Sequence, residues 1–435
     1  VKTIESPTYY FATKKYDLSF PRLDKDIDAD IVVIGGGFSG INTALELAEH
    51  GITNIVVLEG KYLGYGGTGR NGGQVMAGIG HDITKVKKHV GGKGLETIFK
   101  ISNLGAGIIA DRVKRYDIQA DLCHGYGYLA YNSRQEKTLQ GWLKEFKDVD
   151  AQEDIELLTG SDVQKIVGSS VYKAALKHMG GGHVHSLNLL LGEARALTSL
   201  GGRIFEHSPA LEVTYGDRIT VRTAGGKVRA AKMLWACDSF LANMEPYIYK
   251  KTINTCAFQM MTEVLPDNVI ERISPIKGAF SDISPIINYY RVTRENRLLF
   301  GSATRFVEYT PSDLATWNQA LMLKIFPYLD KVNIDLAWGG PMACSANLFP
   351  QIGTLPNHKN VFYVQGYSGF GVTPSHIVCK VLAEGMSEGS ARYDLMASIP
   401  HINVAGKDKM RALWMTAGKV WNQVSGLWNG RSPYF

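Results

Sequence analysis

Gly35, Gly37 and Gly40 stand at G-x-G-x-x-G spacing in Ile34-Gly35-Gly36-Gly37-Phe38-Ser39-Gly40, and Glu59 follows nineteen residues after the last of them. Glycines at these positions do their chemistry through the backbone. The first permits a tight turn, the second lets main chain approach a pyrophosphate, and the third lets a helix pack closely on a strand. Unpaired N–H groups at the start of the following helix attract phosphate charge, and an acid at the end of the next strand can accept hydrogen bonds from a ribose. The flanking elements fall where that chemistry needs them. Ile31 to Ile34 is an all-apolar run suited to the inside of a parallel sheet. Ser39 to Glu49 reads as a helix closed by Gly51, and Asn54 to Leu58 as the second strand, with Glu59 at its carboxyl end. An adenine dinucleotide is therefore expected, touching Gly35, Gly37, Phe38, Ser39, Gly40, Glu59 and Gly60.

A second strand–glycine–helix unit lies far along the chain. Val361 to Val364 is a short apolar strand, Gly366-Tyr367-Ser368-Gly369-Phe370-Gly371 a turn, and Pro374 to Met386 a helix. A simple NAD dehydrogenase has no need of it. A flavin site does, because a helix N-terminus facing the isoalloxazine can stabilise negative charge at its N1/O2 edge. Gly369, Phe370, Gly371, Val372 and Thr373 are the expected contacts there. Between the two units, the glycine-rich loop Gly64 to Gly80 offers a cation and two amides, and Gly67, Thr68, Arg70, Asn71, Gly72, Gly73 and Gln74 are expected around the flavin.

The remaining elements must position these segments. Tyr9, Tyr10 and Tyr16 belong to a polar arm expected to lie over another part of the surface. Residues 82–147 read as largely helical, with a short strand at Tyr126 to Tyr131, and Leu187 to Leu200 as a further helix before the strand Arg203 to Glu206. Leu211 to Tyr215, Ile219 to Thr223 and Lys227 to Ala230 form a β-meander joined by Gly-Asp and Gly-Gly turns. Val213 would meet the adenine through its backbone. Met233 to Cys237 returns to the main sheet as another strand and brings Ala236 to the cofactor. Lys251 to Leu265 and a hairpin over Ile286 to Ser302 suggest a second, mostly antiparallel sheet, with a helix at Asp313 to Pro327.

Composition narrows the function further. With 435 residues, 45% hydrophobic and 20% charged, the chain has the make-up of an ordinary globular protein and the length for two domains. A net charge of +6 without any Lys/Arg block suits anionic ligands and gives no nucleic-acid footprint. The five cysteines are scattered and lack CxxC spacing, which fits a reducing compartment and gives no metal site. No secretory h-region or membrane-spanning run is read, so the expected location is the cytoplasm.

GGGFSG with Glu59, GTGRNGGQ (67–74), the strand GGR-I-F-E and YVQGYSGFGVTPS occur in the order of the glycine/D-amino-acid oxidase family, which the chain resembles over nearly its full length. Within that family it looks most like γ-glutamylputrescine oxidases, through GTGRNGGQ, GGHVHSLNLLLGEA (181–194), NYYRVTRENRLLFG (288–301) and QGYSGFGVTPSH (365–376). The resemblance implies an α/β fold: a Rossmann-like FAD-binding domain with a parallel sheet and β-meander, plus an α+β substrate domain whose mostly antiparallel sheet roofs the flavin. The expected division is an arm at 1–27, an FAD-binding domain from 28–90, 150–237 and 345–395, a substrate domain from 91–149 and 238–344, and a helical tail at 396–435.

The resemblance also marks departures. An arginine that grips the substrate α-carboxylate in many family members falls at Met342, and a lysine that does so in sarcosine oxidases falls at Thr373. Both charged clamps are absent, so the oxidised carbon is expected to carry an amine but no carboxylate. The cysteine that bonds FAD covalently in sarcosine oxidases falls near Gly340, with Cys344 close by, and non-covalent FAD is expected. O2 is the expected electron acceptor, although the lysine that promotes reaction with oxygen falls near Leu299, which weakens that expectation against a quinone or another flavoprotein.

Tyr289, Tyr290, Met342 and Phe370 are the expected substrate contacts. Strand alternation lets one tyrosine of the pair face the flavin, and Tyr290 is preferred. Tyr290 and Gln74 are the catalytic candidates, although the flavin does the redox work and no single general base is required. His183 and His185 beside Ser186 invite a metal reading, but helix capping is favoured and no metal is expected. Trp414, Trp421 and Trp428 recur every seven residues on an expected C-terminal helix whose basic fringe keeps peripheral membrane contact open. Three functions compete: FAD-dependent oxidation of a primary amine such as a γ-glutamylated diamine, a D-amino-acid or imino-acid dehydrogenase feeding the respiratory chain, and a non-catalytic flavin-binding assembly protein.

Overall fold

The computed structural model describes residues 7–80, 86–148, 154–241, 244–284, 287–305 and 313–404. The tryptophan-bearing tail lies outside them. The first half of the chain contains β1 (Ile27–Ile34), β2 (Ile55–Leu58), β3 (Gln74–Val75), β4 (Cys123–Ala130), β5 (Ile155–Thr159), β6 (Ala174–His183), β7 (Arg203–Phe205) and β8 (Glu212–Thr214). The second half contains β9 (Ile219–Arg222), β10 (Lys227–Trp235), β11 (Thr252–Thr262), β12 (Ala279–Asp282), β13 (Asn288–Val292), β14 (Leu298–Arg305), β15 (Ile334–Ser345), β16 (Gln351–Leu355) and β17 (His358–Gln365). The helices are α1 (Tyr9–Ala12), α2 (Phe38–Glu49), α3 (Lys87–Ser102), α4 (Gly105–Arg115), α5 (Ser133–Asp148), α6 (Ser186–Ser199), α7 (Pro246–Tyr249), α8 (Asp267–Ile273), α9 (Leu314–Ile325), α10 (Val372–Ser387) and α11 (Ala391–Ala397).

These strands form two sheets. The first runs β16-β17-β10-β1-β2-β7, parallel except at the β16–β17 edge, with the β8–β9 hairpin pairing onto β10. Its central strands are apolar because helices cover them: Val32, Val33, Val56 and Val57 are fully buried. The second runs β15-β11-β14-β13-β12-β4-β6-β3, with β5 on β6, antiparallel except where β12 meets β4. Its strands alternate. Leu298, Phe300 and Tyr290 enter one core cluster while Leu299 and Trp338 enter the cluster shared with the first sheet.

Three expectations change at this level. The third meander strand and the return strand are one element, β10: its first half pairs with β9 and its second half with β17, so the chain has no reason to break at Ala231–Lys232. The expected division misplaced residues 155–183, since β5 and β6 lie in the second sheet beside β4. Conversely, α3 and α4 pack against α10 of the first unit. The arm also goes inside. Tyr9, Tyr10 and Tyr16 are buried, and Thr8 Oγ1 donates to Gly69 O at 3.2 Å. Aromatic bodies with a polar tip lose little by this, because each hydroxyl can find a partner.

Candidate functional site

The carboxyl ends of β1, β10 and β17 bring the glycine turns together. Gly35 holds a φ of +111°, and a Cβ on it would lie 2.4 Å from Ala236 O; a Cβ on Gly40 would lie 1.9 Å from Gly35 O. Both glycines are therefore fixed by close backbone approach. Thr68 Oγ1 accepts from Phe38 N at 3.0 Å, tying the glycine-rich loop to the first residue of α2. Glu59 bends over the turn, its two carboxylate oxygens accepting from Gly36 N at 2.8 Å and Lys61 N at 2.7 Å. Burial pushes this carboxyl up and those N–H groups oppose the shift. Gly60 passes beside Pro209. Ala236 N donates to Ile34 O at 2.9 Å, and Ser39 Oγ meets Tyr367 OH at 2.9 Å. Val213 lies on β8, paired with Val221.

Within the loop, Asn71 acts as a staple. Its amide nitrogen donates to Thr68 O at 2.8 Å, and its oxygen accepts from Gly73 N and from Ser186 Oγ, each at 2.7 Å. Arg70 is buried and donates to Tyr65 O and Gly339 O, while its own carbonyl accepts from Gln259 Nε2 at 2.6 Å and Trp338 Nε1 at 3.0 Å. Gln74 is committed at both ends: Tyr126 OH donates to Oε1 at 2.8 Å, and Nε2 donates to Phe280 O at 3.1 Å. That removes much of the case for Gln74 as a catalytic group. Gly67 passes Pro341 O, and Gly73 holds a φ of +72° against Val184 O.

The tyrosine pair reverses the expectation. Tyr290 is fully buried on the far face of the second sheet, stacked on Phe300 with centroids 5.9 Å apart and donating to Tyr172 OH at 3.1 Å. It is a core residue, neither catalytic nor substrate-binding. Tyr289 instead turns to the near face, where a Cβ on Gly72 would lie 3.0 Å from its ring and one on Gly301 only 2.2 Å. The ring lies over Gly301 of the neighbouring strand and beside Gly72 of the loop. Met342 extends from β15 toward the Gly366–Phe370 turn, its sulfur 3.0 Å from where a Gly369 Cβ would stand. Phe370 is half-buried and faces Gly78, and Gly371 caps α10. Val372 and Thr373 open that helix, and Thr373 Oγ1 accepts from Met76 N at 3.0 Å.

Residues 30–385 match the family described as DAO, FAD dependent oxidoreductase. The chain belongs to this family. It is similar to a gamma-glutamylputrescine oxidoreductase of Escherichia coli (strain K12), 34% identical over 96% of this chain and 98% of the relative. Its fold is like that of glycine oxidase from Geobacillus kaustophilus, with TM-score 0.71, 16% identity and 86% and 100% of the two chains covered. L-proline dehydrogenase from P. horikoshii gives TM-score 0.72, 18% identity and coverage of 86% and 95%. The chain is an FAD-dependent oxidoreductase acting on amine-type donors.

The residues of this oxidoreductase fit FAD. Crowded glycines keep the cradle open to backbone approach, two helices of full length begin on it, and an acid stands over the first turn. Two contributors escaped the sequence reading. Asp238, just after β10, accepts from Gly366 N at 3.0 Å and Ala343 N at 2.9 Å, and so joins the Gly366–Phe370 turn to the second sheet. Burial raises its carboxyl, against the pull of those N–H groups. An acid directly after an apolar strand was the available signal. Arg291 is the other: it donates to Gly72 O at 2.8 Å and to Tyr10 OH, fastening loop and arm to the second sheet. His185 is the N-cap of α6, accepting from Asn188 N at 3.1 Å as expected, and His183 meets Lys277 O at 3.0 Å. Burial, reinforced by Arg291, pushes His183 down to about 3 and His185 to about 4. Among the described residues no group of three or more His, Cys, Asp or Glu could hold a metal, and no helix is long and apolar enough to cross a membrane.

Proposed function

We propose that this protein oxidises the terminal aminomethylene of a γ-glutamylated diamine, with γ-glutamylputrescine the preferred substrate. The observation that carries this reading is Met342. A thioether stands on the near face of β15, against the flavin turn, where a carboxylate-binding member of the family would need a cation. Thr373, the other candidate clamp position, is buried and spends its hydroxyl on Met76 N. Arg70 and Arg291, the described cations on this face, are buried and point N–H groups at backbone carbonyls. The named relative fits the same substrate class.

FAD, when bound, supplies the acceptor for the hydride leaving the carbon. The chain's own residues bind and orient. Tyr289 and Met342 present an apolar and aromatic surface, which disfavours the ammonium and favours the neutral amine that can lose hydride. Hydrogen bonds from Gln259 and Trp338 to Arg70 O hold the loop against this surface. The overall reaction consumes amine, oxygen and water, and releases aldehyde, ammonia and hydrogen peroxide. Non-covalent FAD is supported by Gly340 and by Cys344, whose buried sulfur meets Thr255 Oγ1 at 3.6 Å. The free cysteines suit a reducing, cytoplasmic setting.

The test follows flavin absorbance in the absence of air after addition of γ-glutamylputrescine, putrescine, D-alanine or glycine, and then admits air. Fast bleaching by γ-glutamylputrescine and fast reoxidation are expected. Bleaching by α-amino acids alone would sink the reading, slow reoxidation would favour a dehydrogenase, and a flavin inert to every amine would favour an assembly role. Met342→Arg should give no gain with γ-glutamylputrescine.

A further inference from the structure

Beneath the helix ends of the cradle lies a charged cluster that none of the contacts above uses. Arg112 of α4 reaches Glu46 of α2 at 2.7 Å and Glu193 of α6 at 3.1 Å, and Glu193 Oε1 also meets His376 Nε2 of α10 at 3.0 Å. No side chain of these four is more than 3% exposed. Lys380, Glu49 and Arg115 form a wetter rim. Buried charges persist only when paired and hydrogen-bonded, so the protonation of each member is constrained by the rest.

The geometry at His376 is specific. Its Nε2 faces the Glu193 carboxylate and its Nδ1 lies 2.7 Å from the carbonyl oxygen of Val372. Both partners are acceptors, and a neutral imidazole has a single N–H to offer. Satisfying both requires the ring protonated at both nitrogens. In the dry centre Arg112 and His376 then face Glu46 and Glu193, and from the rim Lys380 reaches Glu46 Oε2 at 3.2 Å. Burial alone would raise Glu193, yet His376 and Arg112 outweigh it and hold the acid below its ordinary value.

The position of the ring connects this cluster to the cofactor. Val372 is the first residue of α10, and the imidazole packs on Phe38, the first residue of α2, with centroids 5.1 Å apart. We propose that His376 is a fixed imidazolium and an electrostatic positioning residue for FAD. It adds a positive charge behind both helix N-termini, so that the pyrophosphate and the reduced, anionic flavin are favoured. The inference rests on FAD binding and is independent of which amine is oxidised.

The experiment measures the two-electron midpoint potential of the FAD-loaded enzyme and of His376→Gln, which keeps a donor toward Glu193 but carries no charge. The equilibrium toward reduced flavin should fall about tenfold, a shift of about 30 mV. An unchanged midpoint in a folded, FAD-loaded variant overturns the proposal. A second measurement needs no variant: 15N spectra of the histidine-labelled holoenzyme at pH 8.5. One of the eleven histidines should show both ring nitrogens protonated, where an ordinary imidazole is neutral. Finding no such ring overturns the proposal whether or not any variant folds.

Discussion

The two sheets meet at one site and supply it with different material. From the first sheet the site receives main chain: Gly35, Ala236 and Gly366 are placed by strand ends, and their side chains are small or absent. From the second it receives side chains, from one face only: Tyr289, Gln259, Trp338 and Met342. A backbone cradle tolerates almost no change at its contact points, because a single Cβ closes it. A side-chain face can be altered residue by residue while the strands beneath it stay paired. Under the proposed function, cofactor and substrate recognition have separate physical origins, and substitutions should separate them.

The largest effect is expected from Gly35→Ala, which places a Cβ 2.4 Å from Ala236 O at a φ of +111°. We expect protein with little or no bound FAD, read as the flavin-to-protein absorbance ratio after gel filtration. Retention of full flavin content would break the contrast at its strongest point.

Next, Tyr290→Ala should cost about 3–5 kcal/mol of stability, the usual loss for a large core aromatic, and leave KM for the amine in place. Chemical denaturation monitored by circular dichroism checks the first part and initial rates check the second. A changed KM with unchanged stability would return Tyr290 to the site.

Acid should weaken the second sheet at β6. His178 and His183 on β6 are pushed down to about 4 and about 3 by burial, so the folded state holds these rings neutral. An unfolded histidine takes up a proton near 6.5, and stability is therefore full above that pH and lost as pH falls toward 4. The loss is about 2 kcal/mol per ring at pH 5. Hydrogen exchange should show β6 less protected at pH 5 than at pH 7.

The smallest effect is expected from Tyr289→Phe. The ring that lies on Gly301 is retained and a hydroxyl is lost, so kcat/KM should fall about fivefold, about 1 kcal/mol, with FAD content unchanged. Tyr289→Ala should cost more of the same parameter and still leave the flavin bound.

Much of the cradle was legible. The boundaries of α2 and α10, the strands β1, β2 and β17, and the cap at His185 follow from glycine spacing, apolar runs and capping chemistry, all of which act over a few residues. The pair Tyr289–Tyr290 was legible only as a pair. Alternation says that the two side chains oppose each other, and which one faces the loop depends on the register of β13 against β12 and β14. The unbroken β10 and the transfer of β5 and β6 to the second sheet were hidden for a related reason, since strand pairing is a contact between segments distant in the chain. Tyr10 looked like part of a polar arm, and its burial depends on Arg291, 281 residues away.

By itself the sequence determined that this chain binds a dinucleotide through glycine turns, and its order of motifs identified the family. Those features are local: a φ above zero, a helix start and an acid at a strand end need only neighbouring residues. Tertiary structure decided which side of the second sheet faces the glycine turns, that Gln74 and Asn71 are bound up in scaffolding, and that His376 joins a buried charge network. Those outcomes depend on partners brought together by packing, and no spacing along one segment encodes them.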